Sequence, residues 1–181
     1  MNRMLIFTMA CGLIATAAFA QTPSPRAPQS SPAATGETQP APSTQDFVDK
    51  VAISDMFEIQ SSQLALSKQP DRDTKPFAQR MVTDHQKTSK ELKSLVDRGK
   101  VKATLPSALD SEHQEMLDDL KAKSGKDFDQ SYDQMQVKGH EDAVALFTAY
   151  AKGGADPELK KWAAKTLPNL ERHLTMAQKL K

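Results

Sequence analysis

Cysteine is almost missing from this chain: among 181 residues there is one, Cys11, and it stands inside the apolar run that opens the sequence. Residues 1–20, "MNRMLIFTMACGLIATAAFA", combine a basic start at Arg3, an apolar stretch and an Ala18-Phe19-Ala20 ending, the pattern of a secretory signal peptide. Thr8-Met9-Ala10 before Cys11 lacks the aliphatic residue of a lipoprotein signal, so Cys11 reads as part of the apolar stretch. Cleavage after Ala20 removes the one thiol. The exported chain then has no disulfide and no thiolate for metal or nucleophilic chemistry, and its stability has to come from packing.

Two further scarcities narrow the function. Beyond residue 20 nothing approaches the roughly 18 consecutive apolar residues of a membrane span, so no transmembrane segment is expected after signal cleavage. An excess of one charge is also missing: 24 Lys and Arg face 23 Asp and Glu, and loss of Arg3 leaves 23 of each. That balance argues against nucleic acid as a partner and against a polybasic membrane patch, both of which need clustered Lys and Arg. No phosphate loop, nucleophile elbow or paired-cysteine motif occurs, which leaves hydrolase and nucleotide chemistry without support. The expected location is the periplasm, with outer-membrane association left open.

What is present divides the chain in three: the signal peptide at 1–20, a Pro/Ser/Ala-rich segment at 21–45, and a helical domain at 46–181. The middle segment, "QTPSPRAPQSSPAATGETQPAPST" and its continuation, has no aromatic or long aliphatic side chain. It cannot bury enough apolar area to offset the entropy of ordering, and a disordered tether is expected. From Asp46 onward the apolar residues recur with helical period. Five segments follow, at about 46–68, 73–98, 107–124, 127–152 and from Asp156 to the end. Gly99 and Gly153-Gly154 serve as stops, and Asp156-Pro157-Glu158 as a capped start. Four long segments with short connections predict an all-α fold, an antiparallel four-helix bundle with one extra short helix. Phe77, Val82 and His85 repeat the spacing of Tyr132, Val137 and His140, as two related hairpins would.

The chemistry lies in four histidines. His85 falls on a stripe with Phe77, Met81, Thr88, Leu92 and Leu95, a face built for burial. His140 is near the middle of the fourth segment, His113 lies on the short one, and His173 continues the fifth segment's stripe of Leu159, Thr166, Leu170 and Ala177. The first segment places Glu58 inward. Buried imidazoles and carboxylates need partners, and mid-helix residues of an antiparallel bundle meet at one level. Glu58, His85 and His140 are thus candidate ligands for Zn, Fe, Mn or Cu. His173, past its helix's middle by roughly 7 Å at the helical rise, is placed as a further ligand or an outer partner. Asp84 and His113 are weaker candidates, Asp55 and Asp142 fall near inward faces, and Pro168 is expected to bend the last helix before His173. A metal-free reading stands beside this one, in which Glu58 and a protonated histidine form a buried ion pair.

The stretches "FAQRMVTDHQKTSKEL", "LPSALDSEHQEML", "SGKDFDQSYDQMQVKGHEDAVALF" and "LKKWAAKTLPNLERHLTMAQKL" resemble the exported ferritin-like bacterial family catalogued as domain of unknown function 4142, whose members are often labelled outer membrane proteins. The resemblance spans about 46–181 and implies a ferritin-like bundle. It maps the recurrent family histidines to His85, His140 and His173 and the first-helix glutamate to Glu58. The acid that often precedes the second histidine is Gly139 here. The Glu-x-x-His pairs of di-iron sites are also missing, since Val82, Val137 and Leu170 occupy those positions. A mononuclear or histidine-rich site is the version that remains. The function expected is transition-metal binding without catalysis. The alternatives are a metal-free envelope stress or interaction module and a metal-dependent oxidoreductase, the last requiring an open coordination position and a channel.

Overall fold

The structure, a computed structural model, describes residues 41–68 and 70–180. The expected signal peptide and nearly all of the expected tether lie outside the described residues. Those described form five helices and no strand: α1 (Thr44–Ser67), α2 (Thr74–Asp97), α3 (Ser111–Ala122), α4 (Gly125–Gly153) and α5 (Pro157–Ala177). The ends follow from local chemistry. Ser43 Oγ accepts the Asp46 N–H at 3.1 Å and starts α1 at Thr44, inside the stretch assigned to the tether. Gly99, at φ 66°, closes α2 by letting its own N–H reach the Val96 carbonyl and that of Lys100 the Leu95 carbonyl. Asp156 Oδ1 accepts the Leu159 N–H at 2.9 Å and Pro157 opens α5.

The short helix begins at Ser111, not at Ser107 after Pro106. Asp110 is the residue that caps it: its carboxylate accepts the His113 N–H at 2.9 Å. Pro168 does not interrupt α5, which stays helical across it to Ala177.

α1 packs mainly on α2 and α4 on α5, giving two hairpins; α1 also meets α4, α2 meets α5, and α3 lies against α1 and α4. Cross-helix contacts set the directions. Phe47, early in α1, stacks on Tyr150 late in α4 at 4.0 Å, whereas Ser62, late in α1, bonds the Tyr132 hydroxyl early in α4 at 2.8 Å. These helices are therefore antiparallel. The Glu91–Trp162 and Asp84–His173 hydrogen bonds give the same sense for α2 and α5. The internal echo also has a spatial counterpart: Phe77 meets Tyr132 edge-on at 6.4 Å, and His85 meets His140 at 5.7 Å.

Two apolar clusters form the core. One gathers Phe47, Val51, Leu92, Phe147, Tyr150 and Trp162; the other gathers Ala65, Phe77, Met81, Phe128 and Tyr132. Burying a large apolar side chain contributes about 1.5–3 kcal/mol, so these layers supply most of what holds the helices together. Between them in sequence along α1, α2, α4 and α5 fall the buried polar residues Asp55, Glu58, His85, His140 and His173. α1 shows the consequence. Its inward face carries Asp55, Ser61 and Ser62, whereas Ile59, Leu64 and Leu66 are only partly covered. Polar partners on α2 and α4, reaching Asp55 and Ser62, thus act together with buried Phe47, Val48, Val51, Phe57 and Ala65 in setting which way that helix faces.

Asp133 is a destabilising member of this set. One carboxylate oxygen sits 3.3 Å from Thr74 Oγ1 and the other is buried without a partner. Burial first, then Asp71 and Asp129, push its pKa up to about 6, against the Thr74 hydrogen bond. Because the folded value exceeds the unfolded one, the charged carboxylate opposes folding above about pH 6 and the penalty disappears as pH falls toward about 4. Asp133→Asn is expected to stabilise the protein by on the order of 1 kcal/mol near pH 8, with the gain vanishing near pH 4. Urea unfolding of both proteins across that range checks it.

Candidate metal centre

Three rings come from three helices: His85 from α2, His140 from α4 and His173 from α5, exposed by only 4%, 1% and 2%. Their centroids are 5.4–5.7 Å apart. Each offers one nitrogen to a shared space, and these nitrogens all lie within 4.8 Å of one another. The three histidines are close enough to hold a metal ion.

The outer nitrogens fix which atom each ring presents. His85 Nδ1 lies 2.7 Å from Asp55 Oδ1, His140 Nδ1 lies 2.8 Å from the Gln136 carbonyl, and His173 Nε2 lies 2.9 Å from Asp84 Oδ2. Carboxylates and carbonyls only accept, so each of these nitrogens carries the proton and donates it outward; at His173 Nε2 the Asp84 oxygen at 2.9 Å takes the proton in preference to an approach by the Asn169 amide nitrogen at 3.2 Å, which can only donate. The opposite nitrogens, His85 Nε2, His140 Nε2 and His173 Nδ1, are buried and have no hydrogen-bond partner. In the neutral rings they are lone pairs pointed at one another. A metal-binding histidine typically has this arrangement, its second ring nitrogen donating to a carboxylate or carbonyl that orients the ring.

The carboxylates are themselves held. Asp55 accepts from Thr88 Oγ1 at 3.2 Å and Ser89 Oγ at 3.1 Å besides His85, so α1 and α2 share one polar junction. Asp84 is part-exposed, and although burial raises its pKa, the hydrogen bond and charge of His173 hold it below the usual carboxylate range.

The electrostatics divide the trio. Burial depresses His85 most strongly, yet Asp55, followed by Glu58 and Asp84, outweighs it and raises the pKa of that ring. His140 is lowered, chiefly by burial and then by His85 against the pull of Glu58. His173 is lowered to about 4, again by burial first, with the Asp84 hydrogen bond opposing it and His85 and His140 reinforcing it.

The other candidates fall as follows. Glu58 is buried on α1, 3% exposed, with Oε2 unpartnered; it stands outside the group of three whose nitrogens converge. Asp84 serves His173 through a hydrogen bond. His113 is on the accessory helix, where Asp110 Oδ1 holds its Nδ1 at 2.7 Å and Phe57 meets the ring edge-on at 5.4 Å; it is not part of the cluster. Asp142 is exposed and paired with Lys138. His173, expected either as a further ligand or as an outer partner, falls in the same group as the other two. His140 lies 13 residues before the end of α4 at Gly153 and His173 lies 16 residues after the start of α5 at Pro157, so the connection between the helices makes up the difference of about 4.5 Å.

Asp55 and the Gln136 carbonyl are the site components that the sequence pointed to least. Asp55 could be found by its position one helical turn before Glu58 on the same face. The carbonyl carries no signal in the sequence.

The fold and the site define an all-helical protein with a buried three-histidine cluster. The model of the family described as "Domain of unknown function (DUF4142)" matches residues 29–180, and the chain belongs to that family. No curated protein and no solved structure matches it.

In the metal-free protein the depressed histidines give a signed acid response. Unfolded, each takes up a proton near pH 6.5; folded, His173 refuses one until about pH 4, so its contribution is lost as pH falls through that interval. His85, with its raised value, has the opposite sign, contributing below about pH 6.5 and losing that contribution as pH rises through its folded value. His173→Gln, which keeps a donor for Asp84, is expected to make the fall in stability between about pH 6.5 and 4 shallower in chelated protein. Unfolding midpoints by circular dichroism measure it; an unchanged slope contradicts the assignment.

Proposed function

We propose that this is an exported, non-enzymatic, ferritin-like four-helix-bundle protein of the periplasm that binds a transition metal through His85, His140 and His173. The observation that carries the reading is the convergence of three buried, unpartnered ring nitrogens, each on a ring whose other nitrogen is anchored by Asp55, the Gln136 carbonyl or Asp84. Three lone pairs facing one another repel, and an unmade hydrogen bond on a buried polar atom costs about 1–3 kcal/mol. A cation converts all three into ligands at once. Neutral imidazoles suit Zn, Cu and Fe better than Mn, which prefers oxygen donors. At metal–nitrogen distances of about 2.0–2.1 Å the rings need only draw inward to reach one ion. All three inner nitrogens must be unprotonated to bind an ion, so affinity falls as the solution is acidified.

Glu58, outside the converging set, is the carboxylate available as a hydrogen-bond acceptor for whatever else reaches the metal. Export and periplasmic residence rest on the signal-like residues 1–20. The ferritin-like arrangement rests on the sequence resemblance and on two antiparallel hairpins packed side by side. A metal-free interaction module is favoured by one observation, the Asp55–His85 and Asp84–His173 pairs, which hold two rings without any ion. That alternative leaves the inner nitrogens of all three rings unpaired.

Elemental analysis of protein exported in its native compartment, paired with thermal unfolding before and after chelation, is the decisive experiment. Near-stoichiometric metal is expected, lost together with its stabilisation in a His85→Ala/His140→Ala variant. No metal, and no stabilisation by added Zn, Cu, Fe or Mn, refutes the reading. Asp55→Asn keeps the ring in place but weakens its orientation and basicity, and a loss of about 10–100-fold in metal affinity is expected by competition with a chromophoric chelator.

A further inference from the structure

Two clefts open along the seam between α1 and α4, and both have Ser54, His113, Gly139 and Asp142 in their walls. One, of about 370 Å³, reaches Asp55 and His85; the other, of about 400 Å³, reaches Glu58. The seam is open at this level because α4 presents no side chain there. A Cβ on Gly139 would come to 3.4 Å from Glu58 Oε1, and any larger group would project into the shared space. The first cleft is thus lined by His85 and the second by Glu58, the residues whose Nε2 and Oε2 are buried without a partner.

The walls select the guest. Val51, Leu146, Phe147 and Leu170 make one side of the first cleft apolar. The acidic residues Asp55, Glu58, Glu112 and Asp142 outnumber Lys50 and Lys138 around the two, which disfavours an anion. At the base, a metal held by three histidines keeps a coordination position free, and Glu58 can only accept a hydrogen bond when ionised.

We propose that the α1–α4 seam admits a small neutral protic molecule to a metal on His85, His140 and His173, where one atom coordinates the ion and an O–H or N–H of the same molecule is donated to Glu58. This rests on the metal reading above. Molecules of the water, peroxide or azole kind have the required lone pair and X–H group. Gly139 sets the width of the passage, and His113 of α3 stands in its wall.

The test uses Co(II)-loaded protein near pH 8 and imidazole as the probe, which is neutral there and has one donor and one acceptor nitrogen. Imidazole is expected to shift the visible Co(II) spectrum of the wild type, with azide requiring higher concentrations. Gly139→Ala should respond as wild type does. Gly139→Val and Ser54→Phe, which plug the seam from opposite walls, should retain Co(II) yet need at least roughly tenfold more imidazole, equal to about 1.4 kcal/mol. Glu58→Gln should retain the metal and weaken imidazole binding. An unresponsive Co(II) spectrum in the wild type, a preference for azide, or unchanged imidazole titrations in the plugged variants overturns this proposal while leaving the metal reading standing. Failure of the wild type to bind Co(II) overturns both. If either plugged variant does not fold, the other, altered on a different helix, supplies the comparison, and the wild-type preference between imidazole and azide remains decisive.

Discussion

Three buried imidazoles that each present an unpartnered nitrogen to one shared space impose the constraint on which the rest of this structure depends. Each ring must send its N–H outward, and the acceptors come from different places: Asp55 on α1 for the ring of α2, Asp84 on α2 for the ring of α5, and the backbone of α4 for its own ring. The result is a chain of polar contacts through α1, α2 and α5, with α4 closing the group by ring-to-ring proximity. A slip of one helix by a single turn, about 5.4 Å, would break an acceptor pair and leave a second buried group unpaired. Apolar packing alone tolerates such slips more readily, because one leucine replaces another at modest cost.

That polar level is supported from both sides. Aromatic residues are only 6% of the sequence, yet they are concentrated in the two apolar clusters rather than scattered, with Phe47, Phe147, Tyr150 and Trp162 in one and Phe77, Phe128 and Tyr132 in the other. Net stability of a domain is a small difference between large terms, so a polar level of this size has to be flanked by dense apolar layers. Trp162 joins the two requirements. Its ring packs against Phe147 at 5.6 Å while its indole N–H reaches Glu91 at 2.9 Å, so the most voluminous side chain of the chain leaves no donor unpaired.

The helices were legible because helical period, capping residues and stop glycines agree with one another along most of the chain. The start of the short helix was not, since Ser107 and Asp110 both satisfy the rules for a cap and only the competition between them decides. Burial of His85 and His140 could be read from stripes of neighbouring apolar residues. The level of His173 could not, because it depends on how far the α4–α5 turn offsets two helices of unequal length, 29 and 21 residues. The partners of the rings were the least accessible part. A carboxylate at Asp55 looks the same in sequence whether it faces water or an imidazole, and the Gln136 carbonyl belongs to the backbone, on which composition is silent.

The two tyrosine hydroxyls acquire a mechanical meaning from their positions. Thr44 meets Tyr150 at 2.9 Å near one end of the contact between α1 and α4, and Ser62 meets Tyr132 at 2.8 Å near the other, eighteen residues away on both helices, or ~27 Å at the helical rise. Two rods fastened at matching points near both ends behave as a clamped frame. They resist sliding and cannot swing apart like a door, so compliance is confined to the unfastened stretch between the rivets, where Ser54 and Gly139 face the same open space. Such a frame is stiffest at its fastened ends and most yielding midway, at the level of the open seam.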